Sequence, residues 1–193
     1  MKVTSKMRTI QLNDKTFELF IPEAQIQEAV EEVAWQIKAD LGLADVEEQD
    51  VLFVCMLNGA FMFASELMKA IDGPYRLAFA RYSSYEGLAS TGVLHEVMPV
   101  VDDVEGKTVF LVEDLIDTGF TMECMKRMME ERGAKEVKIV AMLFKPEALK
   151  CELEPDYIGL NIAPDFIVGH GLDYDGLGRA YKDIYKLKTE VYS

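Results

Sequence analysis

The chain has 193 residues, 50% of them hydrophobic, and a formal net charge of −14. This length suffices for a packed core without disulfides, and the acidic balance excludes the general affinity for nucleic acid that basic patches provide. The cysteines, Cys55, Cys124 and Cys151, form no CxxC pair, which predicts reduced thiols in a cytoplasmic protein. We expect no membrane association, because no apolar run approaches the ~20 residues of a membrane span and the first residues lack the apolar segment of a signal peptide.

The first half of the chain alternates helix and strand patterns. Apolar residues recur at the spacing of one helix face and precede a glycine, which predicts a helix: Ile26, Val30, Val33 and Ile37, then Gly42. A strand, a helix and a second strand are predicted next, at 50–57, 59–71 and 75–82. Residues 83–97 are rich in Ser, Gly and Thr without a helical period, so they predict a long loop of the kind that covers binding sites.

The second half continues this alternation. A strand is predicted at 107–114, a helix at 121–133, a strand at 136–144 and short strands at 156–162 and 165–169. The helix carries a methionine stripe that indicates core packing, made of Met125, Met128 and Met129. The whole pattern predicts an α/β fold with a mostly parallel sheet flanked by helices. Ligands bind such sheets at the carboxyl ends of the strands.

The most informative stretch is TVFLVEDLIDTGFT at 108–121. A buried-strand pattern ends in Glu113 and Asp114, and Asp117 precedes a turn with Gly119 that leads into a helix. Free N–H groups at a helix N-terminus bind anions, assisted by the helix dipole. Since the acids can bind hydroxyls or a metal, the stretch predicts a site for a phosphorylated sugar.

A simpler interpretation of these residues stays open, in which Asp117 or Thr118 caps the helix and the acids are solvated strand ends. Other phosphate-handling classes lose their main support. A response-regulator receiver needs an acidic pair after its first strand, where this chain has CMLNGA. Neither a GxxxxGK[ST] loop nor a GxGxxG motif is present.

The stretch VFLVEDLIDTGFT resembles the phosphoribosyl-pyrophosphate (PRPP) motif of type I phosphoribosyltransferases, in which hydrophobic residues flank an acid pair ahead of DTGxT. Further blocks resemble the hypoxanthine/guanine branch of that family, in the same order: LNGAFMFASEL, SSYEGLASTG, MLFKPEA and PDFIVGHGLDYDGLGR. The resemblance implies the type I fold in one domain, 1–193. It places the core at about 23–163 and a small hood at about 1–22 and 164–193.

The resemblance also implies roles for residues of the PRPP motif. Glu113 and Asp114 would hold the ribose hydroxyls directly or through Mg²⁺. The 5′-phosphate would be wrapped by the turn, Asp117, Thr118, Gly119, Phe120 and Thr121. Asp117 would also lie near N7 of the purine, and whether it transfers a proton or only orients the ring stays open.

The other blocks would bind the base and the pyrophosphate. Lys145 would donate to the purine O6, Phe166 would stack on the ring, and the Ile167 backbone would bind its edge. Asp173 would lie beside the base and bind a second Mg²⁺. The pyrophosphate would be contacted by Leu57, Asn58, Gly59, Ser84, Tyr85 and Arg179. Whether the Leu57–Asn58 peptide is cis stays open.

The expected activity is Mg²⁺-dependent transfer of phosphoribosyl from PRPP to hypoxanthine, and to guanine, in purine salvage. The family suggests a homodimer or homotetramer, and we expect neither nucleic-acid nor membrane partners. Two alternatives are a phosphoribosyltransferase for xanthine or a pyrimidine, and a PRPP-sensing regulator that binds RNA or DNA. The net charge of −14 argues against the regulator. His170 is interpreted as structural and His95 as a surface residue.

Overall fold

The computed structural model describes residues 8–43, 47–84 and 94–189. In chain order the elements are β1 (Thr9–Leu12), β2 (Lys15–Ile21), α1 (Glu23–Leu43), β3 (Val51–Met56), α2 (Phe61–Ile71), β4 (Arg76–Ser84), β5 (Leu94–Met98), β6 (Thr108–Ile116), α3 (Phe120–Glu131), β7 (Glu136–Phe144), β8 (Tyr157–Asn161), β9 (Ile167–Val168) and β10 (Ile184–Leu187). Short 3-10 helices lie at Glu48–Asp50 and Pro146–Ala148.

A six-stranded sheet forms the centre of the molecule, in the order β5-β4-β3-β6-β7-β8. Strands β4, β3, β6, β7 and β8 run parallel, and the edge strand β5 is antiparallel. Every residue of β3 is buried, as expected for a parallel strand covered on both faces. Phe53 of β3 stacks on Phe110 of β6 with ring centroids 4.7 Å apart. The predicted α/β class with a mostly parallel sheet is confirmed.

Apolar stripes fix the helices to this sheet. The predicted stripe of α1 is buried throughout, at Ile26, Val30, Val33 and Ile37. Helix α1 continues past Gly42, so the predicted stop lies just inside the helix. Among the described residues, no helix combines the length and apolar character that a membrane crossing requires.

Helix α3 packs against β6 and β7. The methionine stripe predicted within 122–129 is buried at Met122, Met125 and Met129. Met128 is half-buried, and its sulfur lies 3.6 Å from the Tyr82 hydroxyl. This packing fixes the N-terminus of α3 beside the carboxyl end of β6.

The predicted loop 83–97 is partly a strand. β5 pairs antiparallel with the end of β4, with His95 opposite Ser83, so the loop expectation is wrong for this part. Residues 85–93 lie outside the described ranges. β5 is largely exposed at the edge of the sheet, and His95 lies on the surface as interpreted. An edge strand without an apolar run gives little sequence signal, which is why the pattern concealed it.

A second sheet, in the order β1-β2-β10-β9, joins the start of the described chain to its C-terminal segment. We call residues 8–22 and 164–189 the hood. No strand was predicted at β1, β2 or β10, because partners such as Phe17 and Leu187 lie far apart in sequence. Leu12, Phe17, Val168 and Tyr185 pack together inside the hood.

Polar contacts fasten the hood to the helices of the core. Asp183 Oδ1 accepts a hydrogen bond from the Glu23 amide at the start of α1, at 2.8 Å, and so satisfies an N–H without a partner inside the helix. His170 Nε2 lies 2.8 Å from Glu66 Oε2 of α2. The hood therefore adjoins the loop between β3 and α2, at the carboxyl ends of the parallel strands.

Candidate active site

The end of β6 and the turn after it carry the largest group of predicted site residues. Glu113 and Asp114 lie inside β6, because the strand continues two residues beyond the predicted end and pairs Ile116 with Phe144 of β7. Residues 117–119 then lead into α3. A cavity of about 150 Å³ opens at this turn, and its walls include Glu113, Asp117, Thr118, Gly119 and Thr121.

Helix α3 begins without a side-chain cap. Its N-cap residue is Gly119, and the described part of the chain supplies no side-chain capping bond, so the interpretation of Asp117 or Thr118 as the cap is wrong. The Glu123 amide donates to the Gly119 carbonyl, which leaves the N–H groups of residues 120–122 outside the helical ladder. These groups and the helix dipole together form an anion site.

The segment after β7, at Lys150 and Cys151, hydrogen-bonds to the turn between β6 and α3. The Thr118 carbonyl accepts hydrogen bonds from the Lys150 amide at 3.0 Å and from Cys151 Sγ at 3.5 Å. Because the carbonyl and N–H of a trans peptide point in opposite directions, the Gly119 N–H faces away from this segment. It therefore joins the uncapped N–H groups of α3 as a donor.

Glycine is required at position 119 for two reasons. Its φ is +85°, a region that L side chains rarely adopt. A Cβ there would also lie 2.6 Å from Cys151 Sγ and 2.6 Å from Leu149 Cδ1. The turn thus depends on both the backbone freedom and the small size of Gly119.

Glu113 and Asp114, the acid pair near the end of β6, are close together and partly buried. The pKa of Glu113 is raised well above its usual value, first by burial and then by the charge of Asp114. Glu113 Oε1 accepts from the Asp114 amide at 3.0 Å, and Asp114 Oδ1 accepts from the Leu115 amide at 2.8 Å. Burial, together with these two charges, raises the pKa of the Cys55 thiol to about 12. Carboxylates this close favour a cation or hydroxyl donors as ligands.

The donor set fits Mg²⁺ bound jointly with a substrate. Among the described residues, no three His, Cys, Asp or Glu side chains are grouped to hold a metal ion. Mg²⁺ is often held by one or two carboxylates, with substrate phosphates and water completing its shell. Glu113 and Asp114 suit this mode, since a divalent cation would relieve their repulsion. Asp173, the other predicted ligand, forms an ion pair with Arg179 at 2.6 Å.

Lys145 and Asp117 form an ion pair at the rim of the sheet. Lys145 follows β7 and is 6% exposed, and its Nζ lies 2.9 Å from Asp117 Oδ2. The Lys145 amide donates to the Ile116 carbonyl at 3.0 Å, which fixes the backbone beside the turn. The Asp117 side chain is half-exposed. A buried ammonium next to an accessible carboxylate offers a donor and an acceptor to one planar ligand.

An aromatic group of the hood contains Phe166. Its ring is 46% exposed and lies tilted on Phe17, with centroids 6.0 Å apart. Tyr174 meets Phe166 edge-on at 5.8 Å, and the Tyr174 hydroxyl donates to Asp14 Oδ1 at 2.8 Å. The adjacent Ile167 is buried in β9. Phe17 and Tyr174 therefore support the Phe166 ring, and its exposed part can stack on a planar ligand.

The loop after β3 contacts both the acid pair and the hood. Its Leu57–Asn58 peptide is cis. A Cβ on Gly59 would overlap Asp114 Oδ2, and a Cβ on Gly171 would overlap the Gly59 carbonyl. The backbone of this loop at Gly59 therefore packs directly between Asp114 and Gly171 of the hood.

Arg179 reaches the same region from the hood. Its Nη1 donates to the Gly171 carbonyl at 2.6 Å, and its Nη2 pairs with Asp173. Arg179 and Asp173, predicted as separate ligands of pyrophosphate and metal, are thus bound to each other. Ser84 ends β4, but its side chain and all of Tyr85 lie outside the described residues.

Several residues that shape the site were missed by the sequence interpretation. Lys150 and Cys151 hydrogen-bond to the Thr118 carbonyl, Tyr174 supports Phe166, and Glu66 binds His170. Glu66 and Tyr174 stand inside quoted blocks, but no role was assigned to them, and Lys150 and Cys151 lie outside every quoted block. The one available signal is the Lys-Pro-Glu turn after β7, which predicts that the chain reverses towards the DTG segment.

Comparisons with known proteins identify the family of this chain. The family model described as "Phosphoribosyl transferase domain" matches residues 23–175. A hypoxanthine-guanine phosphoribosyltransferase of Streptococcus pneumoniae is 38% identical over 176 residues, covering 91% of this chain and 95% of that protein. The enzyme of the same name from Mycobacterium tuberculosis is 35% identical over 170 residues, covering 87% and 84%.

Solved structures show the same likeness. A hypoxanthine phosphoribosyltransferase of Staphylococcus aureus has a TM-score of 0.82 at 34% identity, covering 91% of this chain and 94% of that chain. The Trypanosoma cruzi enzyme in complex with the product IMP has a TM-score of 0.85 at 32% identity, covering 96% and 100%. The fold and the site define an α/β protein with an uncapped helix N-terminus and an acid pair at the carboxyl edge of its parallel sheet. The chain belongs to the phosphoribosyltransferase family.

We expect Gly119→Ala to weaken PRPP binding by about tenfold or more. The added Cβ would collide with Cys151 and Leu149 and so displace the turn 117–121, whose N–H groups are the expected phosphate donors. Isothermal calorimetry with PRPP and Mg²⁺ measures this change. Gly106→Ala is the matched control, since Gly106 also has a positive φ, +73°, but open space around a Cβ. Equal loss of affinity in both variants would show that the close packing behind Gly119 has no role.

The raised pKa of Glu113 predicts a pH-dependent stability cost. Between the usual carboxyl pKa of 4.5 and the raised one, the folded state binds more protons than the unfolded state, so stability falls as pH rises. Glu113→Gln should therefore raise the melting temperature by several degrees at pH 8, and the gain should vanish towards pH 4.5. Exposed Glu131 supplies the control Glu131→Gln. A gain that is independent of pH, or a lower melting temperature at pH 8, contradicts the crowding of the acid pair.

Proposed function

We propose that the chain transfers the phosphoribosyl group of PRPP to N9 of hypoxanthine, and of guanine, releasing pyrophosphate and forming IMP or GMP in purine salvage. One observation carries the proposal. An uncapped helix N-terminus and a crowded acid pair lie along a single stretch of chain, and Lys145, after β7, pairs with Asp117 of that stretch. Relatives named hypoxanthine-guanine phosphoribosyltransferase, at 34–38% identity over about nine-tenths of the chain, support it.

The 5′-phosphate binds to the turn 117–121. The N–H groups of Gly119, Phe120 and Thr121 donate to its oxygens, and the hydroxyls of Thr118 and Thr121 add side-chain donors. Backbone donors allow a chain with a net charge of −14 to hold an anion, because exposed charges are screened beyond roughly 8–10 Å at physiological salt.

The acid pair holds the ribose. Glu113 and Asp114 bind the 2- and 3-hydroxyls, directly or through Mg²⁺. When bound, Mg²⁺ offsets the negative charge that collects on the departing pyrophosphate. Asp173, now paired with Arg179, would supply a carboxylate ligand for a second Mg²⁺.

The pyrophosphate lies between the loop after β3 and the hood. The backbone of Leu57, Asn58 and Gly59 contacts it from the core, and Arg179 contacts it from the hood. Asn58 carries no charge, so the cationic contact falls to Arg179. Contacts from Ser84 and Tyr85 stay predictions.

Lys145, Asp117, Phe166 and Ile167 form the base site. The Lys145 ammonium donates to the purine O6, whereas the 6-amino group of adenine would oppose a donor to a donor, a mismatch of a few kcal/mol. Phe166 stacks on the ring and the Ile167 backbone binds its edge. Asp117, half-exposed beside Lys145, faces N7 and takes up or returns the ring proton as N9 bonds to ribose.

We also propose that the enzyme acts in the cytoplasm as a homodimer or homotetramer. Cys55, Cys124 and Cys151 form no disulfide in the described ranges, which supports a reducing compartment. A solved Trypanosoma cruzi relative was studied for the role of its C-terminal region on oligomeric state, which makes self-association worth testing by light scattering.

An assay with purified protein, PRPP, Mg²⁺ and competing free bases tests the activity. We expect IMP from hypoxanthine and GMP from guanine, with adenine and pyrimidines used far less. Absence of nucleotide product contradicts the proposal, and preferred use of xanthine or a pyrimidine supports the alternative transferase. Retention on heparin or RNA at physiological salt, without turnover, supports the regulator instead.

The role of Asp117 predicts a selective kinetic effect. Asp117→Asn keeps the size of the side chain but removes its proton-transfer capacity, so kcat should fall about 10²- to 10⁴-fold. The KM for PRPP should change by only about threefold or less, because the N–H donors of the turn remain. Steady-state kinetics with each substrate varied measures both values. Turnover equal to that of the unaltered chain would limit Asp117 to orienting the base.

A further inference from the structure

A buried polar pair joins the hood to α2 beside the pyrophosphate site. His170 Nε2 lies 2.8 Å from Glu66 Oε2, and the two side chains are 2% and 23% exposed. Nothing in the proposed reaction uses either side chain. Removing one partner of such a pair leaves the other with an unpaired buried group, so the pair couples two segments that are distant in sequence.

The backbone around His170 is unusually constrained. Gly169, His170 and Gly171 have φ values of 102°, 47° and 97°, three consecutive residues in a region that most side chains avoid. A Cβ at Gly169 would overlap the Asp183 carbonyl. The His170 amide donates to the Tyr181 carbonyl at 2.7 Å. The 169–171 turn therefore has little freedom within the hood.

This turn contacts two of the residues proposed to bind the pyrophosphate, Gly59 on its core side and Arg179 on its hood side. On the core side, Gly171 lies against the carbonyl of Gly59, where no Cβ can fit. On the hood side, the Gly171 carbonyl accepts from Arg179 Nη1 at 2.6 Å, and the Gly171 amide donates to the Arg179 carbonyl at 3.0 Å. The position of the turn thus sets how closely Gly59 and Arg179 approach each other.

Glu66 gives the turn a fixed reference point. It lies on α2, which begins directly after the loop that contains Gly59. Because a helix is rigid along its length, a side chain bonded to α2 is tied to the loop at the start of that helix. The His170–Glu66 contact and the Gly171–Gly59 contact therefore hold the same two bodies together at two points.

We propose that His170 and Glu66 are positioning residues for the pyrophosphate of PRPP. By holding the 169–171 turn to α2, they fix the separation between the Gly59 backbone and Arg179 at the width that a pyrophosphate group bridges. The inference rests on the proposed function and adds to it two residues that do not touch substrate. It predicts an effect on ligands that carry pyrophosphate and none on the purine base.

His170→Asn is the primary variant, because asparagine tolerates the positive φ but is too short to reach Glu66. Glu66→Ala removes the other partner. Both should raise the KM for PRPP and the dissociation constant of Mg²⁺-pyrophosphate about tenfold, as a displaced subsite requires. The KM for hypoxanthine should stay within about twofold. Glu66→Gln should retain most of the affinity, because its amide oxygen still accepts from His170 Nε2.

The double variant His170→Asn with Glu66→Ala tests whether the two residues act as one unit. If they do, it should bind pyrophosphate no more weakly than the weaker single variant. Tyr157→Phe is the control for stability loss, since it removes the 2.6 Å hydrogen bond to Asp40 on α1, which joins β8 to the first helix. It should lower the melting temperature and leave the KM for PRPP unchanged.

The positioning role is overturned if His170→Asn and Glu66→Ala lower the melting temperature without a selective rise in the KM for PRPP, or if both substrates weaken in parallel. An unaltered chain that forms no nucleotide would remove the proposed function, and calorimetry with Mg²⁺-pyrophosphate would then decide the positioning role alone. Failure of the unaltered chain to bind Mg²⁺-pyrophosphate would overturn it as well.

Discussion

The hydrogen bond from the Lys150 amide to the Thr118 carbonyl determines what this site can bind. It fixes the plane of one peptide, and so turns the Gly119 N–H away from the supporting segment. The N-cap of α3 is Gly119, which offers no side-chain cap, so the first N–H groups of the helix remain free to donate to an anion. Asp117 belongs to the same turn, and its carboxylate lies 2.9 Å from Lys145, so the proposed base site adjoins the proposed phosphate site.

A second constraint comes from like charges held close together. Glu113 and Asp114 are partly buried and repel each other. Burial, together with the charge of Asp114, raises the pKa of Glu113. Gly59 packs against Asp114 without a Cβ, and Gly171 of the hood packs against Gly59. The acid pair, the loop after β3 and the hood are therefore in contact through backbone atoms. Holding two like charges this close costs stability, which functional sites commonly accept in exchange for activity.

The sequence predicted those features that local patterns encode. The buried strand β3, the stripe of α1 and the acid-turn-helix order of β6 and α3 all follow from periodicity and turn chemistry within short windows. β5 was missed because an exposed edge strand has no apolar run, and β1, β2 and β10 because their partners lie at opposite ends of the chain. The same limit applies to the site. Residues such as Glu113, Asp117 and Lys145 stand in recognisable motifs, whereas the Lys150–Thr118 and His170–Glu66 contacts depend on tertiary packing that no local pattern specifies.

A crystal structure with IMP bound would show directly whether the start of α3 binds the phosphate. We expect phosphate oxygens about 2.7–3.1 Å from the N–H groups of Gly119, Phe120 and Thr121. We also expect that Lys145 Nζ has left Asp117 for the purine O6 and that Phe166 lies against the ring. A phosphate bound away from the start of α3, or a purine that leaves the Lys145–Asp117 pair intact, would contradict these expectations.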